Sequence, residues 1–221
     1  MGHTAIILGA TGLTGSHLLD MVLNDVFYDK IVVFGRSSLD ITHPKLESHI
    51  IDVLDLEQEA DRFKADVVFC CIGTTKAKTP DMELYRAIDY GIPVTAAKLC
   101  KTNKIPCFVV MSSLGADKTS NIFYNRIKGE MEAAVLEQGI PRTYILQPSI
   151  ILGDRNEKRR GESIAKVLMT LITPLLLGKL KRYRPIASKT IAKAMVNLPK
   201  GNREENIIPS HVIKEIASHG S

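Results

Sequence analysis

A glycine-rich turn near the N-terminus constrains the fold of this chain more than any other feature. The turn lies between a short apolar run at 5–8 and a segment at 13–23 whose apolar residues recur at helical spacing. It reads Gly9-Ala10-Thr11-Gly12-Leu13-Thr14-Gly15. Strand, glycine turn and helix in this order predict the opening unit of an α/β fold, with the turn at the carboxyl end of the first strand.

Each glycine of the turn has its own physical role in binding a dinucleotide. Gly9 permits the tight turn, Gly12 lets backbone amides approach a pyrophosphate, and Gly15 allows the helix to pack closely on the strand. The positive end of the helix dipole and its free N–H groups favour an anion there. A turn that only connects two elements is the alternative. The predicted phosphate-binding residues are Gly9, Thr11, Gly12, Leu13, Thr14 and Gly15.

Apolar runs alternate with helical segments along the following part of the chain. Further strands are predicted at 31–34, 49–53, 67–72, 108–111 and 143–146, and helices at 55–64, 81–101 and 120–138. The run at 67–72 is continuously apolar, which is typical of a parallel strand covered on both faces. The pattern predicts an α/β Rossmann-type doubly wound parallel sheet, in the strand order 3-2-1-4-5-6.

Residues 1–221 are expected to form a single domain, with residues 149–221 contributing a small C-terminal cap on the substrate side. A charged loop at 155–160, an apolar segment at 167–177, a helix at 188–197, a short strand near Ile207 and a terminal helix are predicted there. The apolar segment is about half as long as a membrane-spanning helix. It is therefore interpreted as a buried helix or a lid, with interfacial membrane contact as the alternative and no membrane span.

The residue that discriminates the two nicotinamide dinucleotides follows the glycine turn by about 20 positions, at the end of the second strand. Arg36 and then Ser37 occupy this place. Neither residue carries a carboxylate that could accept a hydrogen bond from the ribose 2′-hydroxyl. A guanidinium and a hydroxyl can instead hold a 2′-phosphate. NADP(H) is predicted over NAD(H), with Asp40 as the residue that could reverse this preference.

Two later segments are candidates for the adenosine end of the cofactor. Asp52 and Val53 follow the third strand, so the Asp52 carboxylate could accept a hydrogen bond from the adenine amino group. Capping of the next helix is the alternative role for Asp52. Gly73 and Thr74 follow the fourth strand, where a glycine lets the chain pass close to the ribose.

The predicted catalytic residues are a tyrosine, a lysine and two serines. Tyr124 and Lys128 are four residues apart on one helix and therefore share a face. A fixed positive charge lowers the pKa of a phenol, as a proton donor to a reduced carbonyl requires, and Lys128 could also bind the nicotinamide ribose. Ser112 and Ser113 end the fifth strand, where either hydroxyl could donate a hydrogen bond to the substrate oxygen.

The net charge of the chain bears on whether it binds nucleic acid, and its cysteines bear on its cellular location. The net charge is +5, and its basic clusters at 157–160 and 179–184 lack interleaved aromatic residues, so solvated segments are favoured over a nucleic-acid site. The four cysteines show no C-x-x-C spacing, and three lie in apolar runs. With no secretory leader pattern at the N-terminus, a cytoplasmic protein is expected.

These residues together resemble the atypical short-chain dehydrogenases/reductases, the branch that contains the Tat-interacting tumour-suppressor oxidoreductase and bacterial NAD(P)-binding relatives. The resemblance covers nearly the whole chain. Besides the glycine turn, it rests on Phe69-Cys70-Cys71-Ile72-Gly73-Thr74-Thr75, Met111-Ser112-Ser113-Leu114-Gly115-Ala116-Asp117-Lys118, Tyr124 to Glu130, and Gln147-Pro148-Ser149.

The resemblance implies NADPH binding, with Tyr124 as acid, Lys128 as its electrostatic support and Ser113 or Ser112 as the partner of the substrate oxygen. Further cofactor contacts that it implies are Cys71, Ile72, Met111, Pro148, Ser149 and Ile150. The chain departs from the family pattern in three respects. Gln147 stands where arginine is usual, Asp89 replaces the asparagine of a proton relay, and Ser113 precedes Tyr124 by only eleven positions.

The favoured function is therefore an NADP(H)-dependent oxidoreductase that reduces a small-molecule carbonyl substrate. The alternative is a regulatory or scaffold protein that binds NADPH with little turnover. Under this alternative, a protein partner is expected. A nucleotide-sugar epimerase is disfavoured because few residues remain after Pro148 for a sugar-nucleotide domain. The sequence defines neither the substrate nor the oligomeric state.

Overall fold

A computed structural model describes residues 2–153 and 183–219. Its main sheet contains the strands β1 (His3–Leu8), β2 (Tyr28–Gly35), β3 (Leu46–Ile50), β4 (Val67–Cys70), β5 (Cys107–Met111), β6 (Arg142–Gln147) and β9 (Ile207–Pro209), and a separate pair joins β7 (Ile151–Leu152) to β8 (Ile186–Ala187). The seven strands of the main sheet are parallel and lie in the order β3-β2-β1-β4-β5-β6-β9. The predicted order 3-2-1-4-5-6 is thus confirmed, and β9 extends it beside β6.

Helices cover both faces of the sheet. They are α1 (Leu13–Leu23), α2 (Met82–Arg86), α3 (Ile92–Thr102), α4 (Phe123–Leu136), α5 (Ser188–Asn197) and α6 (Ser210–His219). Side chains of β1 alternate between two apolar clusters: Ile7 belongs to the cluster that contains α1 and α5, and Ile6 to the cluster that contains α3 and α4. This two-sided burial explains why the central strands β1, β4 and β5 are largely continuous apolar runs.

Two predicted helices differ from the observed elements. The helix expected at 55–64 is a 3-10 helix over Val53–Glu59, in which Asp55 departs from helical geometry at φ −96° and ψ 21°. The helix expected at 81–101 consists of α2, a π-helical turn over Ala87–Gly91, and α3. A π turn inserts an extra residue per turn, which changes the direction of the side chains within it.

The described part of the C-terminal region completes the main sheet. Helix α5 lies where a helix was predicted and packs against α1, while α6 packs against α5. Strand β9 pairs with β6 through Ile145 and Ile207. The predicted loop at 155–160 and apolar segment at 167–177 lie outside the described residues. Within the two described ranges, no helix combines the length and apolar character needed to cross a bilayer.

Candidate active site

The carboxyl ends of the central strands border a cleft of about 1510 Å³. Most of the residues predicted from the sequence contribute to its wall. These are Gly9, Thr11, Gly12, Leu13, Thr14, Arg36, Ser37, Asp52, Val53, Cys71, Ile72, Gly73, Thr74, Met111, Ser112, Tyr124, Lys128 and Ile150. Four predicted residues, Gly15, Ser113, Pro148 and Ser149, lie away from this wall.

The glycine turn has a backbone that only glycine tolerates at two of its positions. Gly9 has φ +84°, in the left-handed region, and a Cβ there would lie 3.1 Å from the backbone of Cys71. A Cβ on Gly15 would lie 2.0 Å from the carbonyl oxygen of Gly9. Helix α1 begins directly after Gly12, with no side-chain cap and no acidic residue in its first turn. Its first N–H groups therefore face the cleft without an intrahelical partner or a competing carboxylate.

The rim of the cleft beside β2 carries a positive charge. Arg36 and Ser37 are exposed and contribute to the wall, whereas Asp40 lies off it. Arg36 makes no hydrogen bond or ion pair with any other residue in the described ranges. Asp52 accepts a hydrogen bond from Leu54 N at 3.0 Å, so it performs the helix-capping role given as the alternative while still lining the cleft.

Lys128 forms a buried ion pair at the centre of the cleft. Its Nζ lies 2.9 Å from Oδ1 of Asp89, and the two side chains are 4% and 1% exposed. Burial disfavours the ammonium charge, but the Asp89 carboxylate beside it raises the pKa of Lys128 above its ordinary value. The second oxygen of Asp89 accepts from Thr74 N at 2.7 Å, so this carboxylate joins α4 to the segment after β4.

Tyr124 lies in the first turn of α4, one turn before Lys128, and is 39% exposed. Its side chain lines both the main cleft and a smaller adjoining pocket of about 510 Å³. The side chains of this pocket are mainly apolar or aromatic. Besides Tyr124, they include Pro80, Met82, Tyr85, Ile122 and Phe123. No sequence motif predicts this pocket, because its two walls come from segments about forty positions apart.

Ser112 and Ser113 have different surroundings. Ser112 lines the cleft, and its hydroxyl donates a hydrogen bond to Oε1 of Glu132 on α4. Ser113 is buried away from the cleft wall, and its hydroxyl has no hydrogen-bond partner among the described residues. Ser112 is therefore the serine that lines the cleft together with Tyr124 and Lys128.

Glu132 is a buried carboxyl group that the sequence did not single out. Gln147 Nε2 donates to both of its oxygens, at 2.9 and 3.0 Å. Burial raises the pKa of Glu132 above its ordinary value, although hydrogen bonds from Ser112 and Gln147 and the charge of Lys128 oppose this shift. The departure from arginine at Gln147 was the only sequence signal that pointed toward this cluster.

The segment after β6 contributes to the cleft at Ile150, while its two preceding residues are directed elsewhere. Pro148 is buried. The Ser149 hydroxyl donates to the Arg184 carbonyl at 2.5 Å and accepts from the Ser210 hydroxyl at 3.1 Å. Ser149 thus attaches the end of β6 to the C-terminal elements.

This parallel sheet, with a glycine turn beneath an uncapped helix, defines a dinucleotide-binding Rossmann domain. The chain belongs to the NAD(P)H-binding family, whose model matches residues 9–166. It is 35% identical over 167 residues to protein HTATIP2 of Rattus norvegicus, covering 74% of this chain and 69% of the relative. It is also 32% identical over 200 residues to "Protein FMP52, mitochondrial" of Candida albicans, covering 88% of this chain and 86% of the relative. The resemblance to atypical short-chain dehydrogenases/reductases is confirmed.

Solved structures share the fold at low sequence identity. The Bordetella bronchiseptica enzyme WbmG in complex with NAD superposes with a TM-score of 0.69 at 16% identity, covering 99% of this chain and 77% of that one. UDP-glucose 4-epimerase of Thermotoga maritima with UDP-glucose superposes with a TM-score of 0.69 at 13% identity, covering 99% of this chain and 84% of that one. These likenesses establish the fold.

The predicted cytoplasmic location is wrong in light of the relatives. Fungal relatives from several species, including Candida albicans and Aspergillus niger, carry the name FMP52, mitochondrial. The prediction rested on the cysteine spacing and on the N-terminal pattern. Those features bear on secretion alone and do not discriminate among compartments inside the cell.

Proposed function

We propose that this protein is an NADP(H)-dependent oxidoreductase that reduces a carbonyl group, with Tyr124 as the proton donor. The observation that carries the proposal is the convergence of three groups on one cleft at the carboxyl edge of the sheet. These groups are the uncapped glycine turn, the guanidinium of Arg36, and Tyr124 with Lys128 and Ser112. Such an edge is where ligands bind in doubly wound folds.

The residues present fit a dinucleotide phosphate. A side chain is excluded at Gly9, because a Cβ would lie 3.1 Å from Cys71 and Ile72, so the turn presents bare backbone on the cleft wall. The N–H groups at the start of α1 would hold the pyrophosphate, and Arg36 with Ser37 would hold a 2′-phosphate. When bound, the nucleotide supplies the hydride that reduces the carbonyl carbon.

Tyr124 would transfer its phenolic proton to the carbonyl oxygen as that oxygen gains negative charge, giving an alcohol. The buried ammonium of Lys128, one turn away, favours the phenolate that remains, which lowers the cost of the transfer. The hydroxyl of Ser112 would donate a hydrogen bond to the same oxygen. A proton from solvent then restores Tyr124.

The apolar pocket beside Tyr124 supports a substrate with an apolar body next to its carbonyl group. Tyr124 forms part of both the cleft and this pocket. A ligand that filled the pocket would therefore present its reactive end at the phenol. Apolar walls with a few polar groups at one end are typical of small-molecule sites.

A second function, an NADPH-binding regulatory protein with little turnover, is favoured by the ion pair in the cleft. Asp89 lies 2.9 Å from Lys128 and offsets its charge, so the electrostatic support of the Tyr124 phenolate is weakened. The hydroxyl hydrogen of Ser112 is directed to Glu132 rather than into the cleft. Both features reduce the expected rate and leave the nucleotide site intact.

Oxidation of NADPH in the presence of a panel of apolar aldehydes and ketones distinguishes these functions. The wild-type protein is expected to reduce at least one of them, and Tyr124→Phe to lose about 10²–10⁴-fold in rate, the usual worth of a general acid, while it still binds NADPH. Tyr90→Phe is the matched control, because Tyr90 lies on the same side of the sheet but off the cleft wall. NADPH binding without reduction of any carbonyl would support the regulatory protein instead.

A further inference from the structure

Glu132 is a buried carboxyl group whose direct hydrogen-bond partners are both neutral. Ser112, which directly follows β5, and Gln147, the last residue of β6, donate to it. The nearest cation is Lys128, one turn earlier on α4, but its ammonium group is paired with Asp89 at 2.9 Å. A carboxylate that is removed from water without its own cation is costly, so such a group tends to hold a proton.

The protonation state of Glu132 determines the direction of the Ser112 hydroxyl. A carboxylate can only accept hydrogen bonds, so an ionised Glu132 takes the single hydroxyl hydrogen of Ser112. A protonated carboxyl can instead donate to the Ser112 oxygen. The hydroxyl hydrogen is then free to point into the cleft, whose wall Ser112 shares with Tyr124.

We propose that Glu132 is a positioning residue that, by gaining or losing a proton, switches Ser112 between donating to the protein and donating to the substrate oxygen. This inference rests on the proposed reduction of a carbonyl, because only that function gives Ser112 an oxygen to which it donates. The protonated form of Glu132 is the form that supports reduction.

The charges around Glu132 determine how it responds to substitution. Lys128 is the charged group that acts on it, while β5 and β6 present the neutral Ser112 and Gln147. Removing the Ser112 hydroxyl takes away a hydrogen bond to the carboxylate and should therefore favour the protonated form. Replacing Gln147 by arginine should favour the ionised form, since it adds a cation at hydrogen-bond distance.

Infrared difference titration of the full chain tests the coupling without a substrate. We expect a protonated-carboxyl band that is absent from Glu132→Gln and unchanged in Glu130→Gln. Glu130 is the matched control because it lies on the same helix and pairs with Arg86 at 2.5 Å. The midpoint of the band should move to higher pH in Ser112→Ala and to lower pH in Gln147→Arg. A midpoint that Ser112→Ala leaves unmoved would overturn the proposal.

The pH dependence of NADPH oxidation, measured with the best carbonyl of the panel, tests the consequence for turnover. Above the infrared midpoint, the wild-type rate should fall by about tenfold per pH unit, as expected for one ionisation. Glu132→Gln should lack this fall, and Gln147→Arg should show it at lower pH, in step with its carboxyl band. A fall that persists at the same pH in both variants would contradict the switch. Failure of the wild type to reduce any carbonyl would refute the proposed function instead, and the infrared titration would still decide the coupling.

Discussion

Arg36 carries the argument for the cofactor at the scale of single residues. It directly follows β2 and is exposed on the cleft wall, where the Asp52 carboxylate accepts a hydrogen bond from Leu54 N. The alternative ribose ligand, Asp40, lies off the wall. The position therefore offers a cation where a 2′-phosphate would lie.

Arg36→Ala is expected to weaken NADPH binding by about 1–3 kcal/mol and to leave NADH binding nearly unchanged, because a charge-assisted hydrogen bond is lost only with the former. Calorimetric titration with each nucleotide measures both affinities. Arg62→Ala is the control, since Arg62 is an exposed arginine that pairs with Glu59 and lies off the cleft wall. Equal losses for both nucleotides would remove the case for the 2′-phosphate.

Glu132 makes the free energy of unfolding depend on pH in an uncommon direction. Burial raises its pKa in the folded chain, so the folded state binds more protons than the unfolded state between the ordinary carboxyl pKa and the folded pKa. Stability contributed by this group is therefore present in acid and falls as the pH rises through that window.

Glu132→Gln should match the wild type in stability at acid pH and exceed it at higher pH by an amount of order 1 kcal/mol, since the variant no longer buries a charge. Urea unfolding at a series of pH values measures this difference. Glu130→Gln should show no such gain, because Glu130 is paired and only partly buried. A gain at acid pH alone would contradict the assignment.

At the scale of elements, the glycine turn and the start of α1 depend on two backbone segments that nearly touch. Gly15 is buried in the first turn of α1 against the carbonyl of Gly9, which leaves no room for a methyl group. Because the obstructing atoms are backbone, the helix itself must move if the side chain grows.

Gly15→Ala is expected to destabilise the protein by about 1–3 kcal/mol through overpacking and to weaken binding of both nucleotides. Gly91→Ala is the matched control. Gly91 has helical φ and ψ of −58° and −56°, and the nearest atom to an added Cβ is 4.0 Å away. The Gly91→Ala variant should have a free energy of unfolding that is higher by about 0.5–1 kcal/mol, because alanine has the higher helix propensity. Urea unfolding and calorimetry measure both effects, and equal stability of the two variants would refute the packing argument.

Sequence periodicity predicts the central strands β1, β4 and β5 well because two-sided burial makes them largely continuous apolar runs. It misplaces the edge strand β3, which was expected at 49–53 and lies at Leu46–Ile50 with no buried residue. It predicts the helical segments less well where single residues alter their geometry. Asp55 interrupts the helix after β3, and the π turn at Ala87–Gly91 places Asp89 against Lys128. The sequence analysis noted Asp89 because it departs from the family pattern. Its ion pair with Lys128 could not be predicted, because the two residues are distant in sequence and meet only in the folded chain.

At the scale of the whole molecule, the cleft is formed by segments from most of the described chain. The glycine turn, the end of β2, residues 71–75 after β4, the first turns of α4 and residues 150–153 all contribute to its wall. The glycine and Tyr-Lys motifs allowed these residues to be predicted. The Ser112, Glu132 and Gln147 cluster was missed, because its three members come from two strands and a helix that meet only in the folded protein.

Binding across so many segments should stabilise the entire fold. At a concentration one hundred times its Kd, NADPH is expected to raise the free energy of unfolding by about 2.7 kcal/mol, which corresponds to roughly 5–11 °C in Tm for a chain of this size. Thermal unfolding followed by circular dichroism, with and without nucleotide, measures the shift. At the same concentration NADH should give a smaller shift, and Arg36→Ala should remove the difference between them. No shift with either nucleotide would contradict the binding site itself.

The packing of α5 on α1 has a consequence for the nascent polypeptide. The inward face of α1, with Leu18 and Val22, shares a core with Ile191 and Met195, yet the ribosome makes α1 long before it makes α5. Until α5 emerges from the ribosome, the apolar face of α1 remains exposed to solvent. A nonsense mutation ahead of Ser188 would therefore leave α1 without its packing partner, although every residue of the glycine turn would still be present.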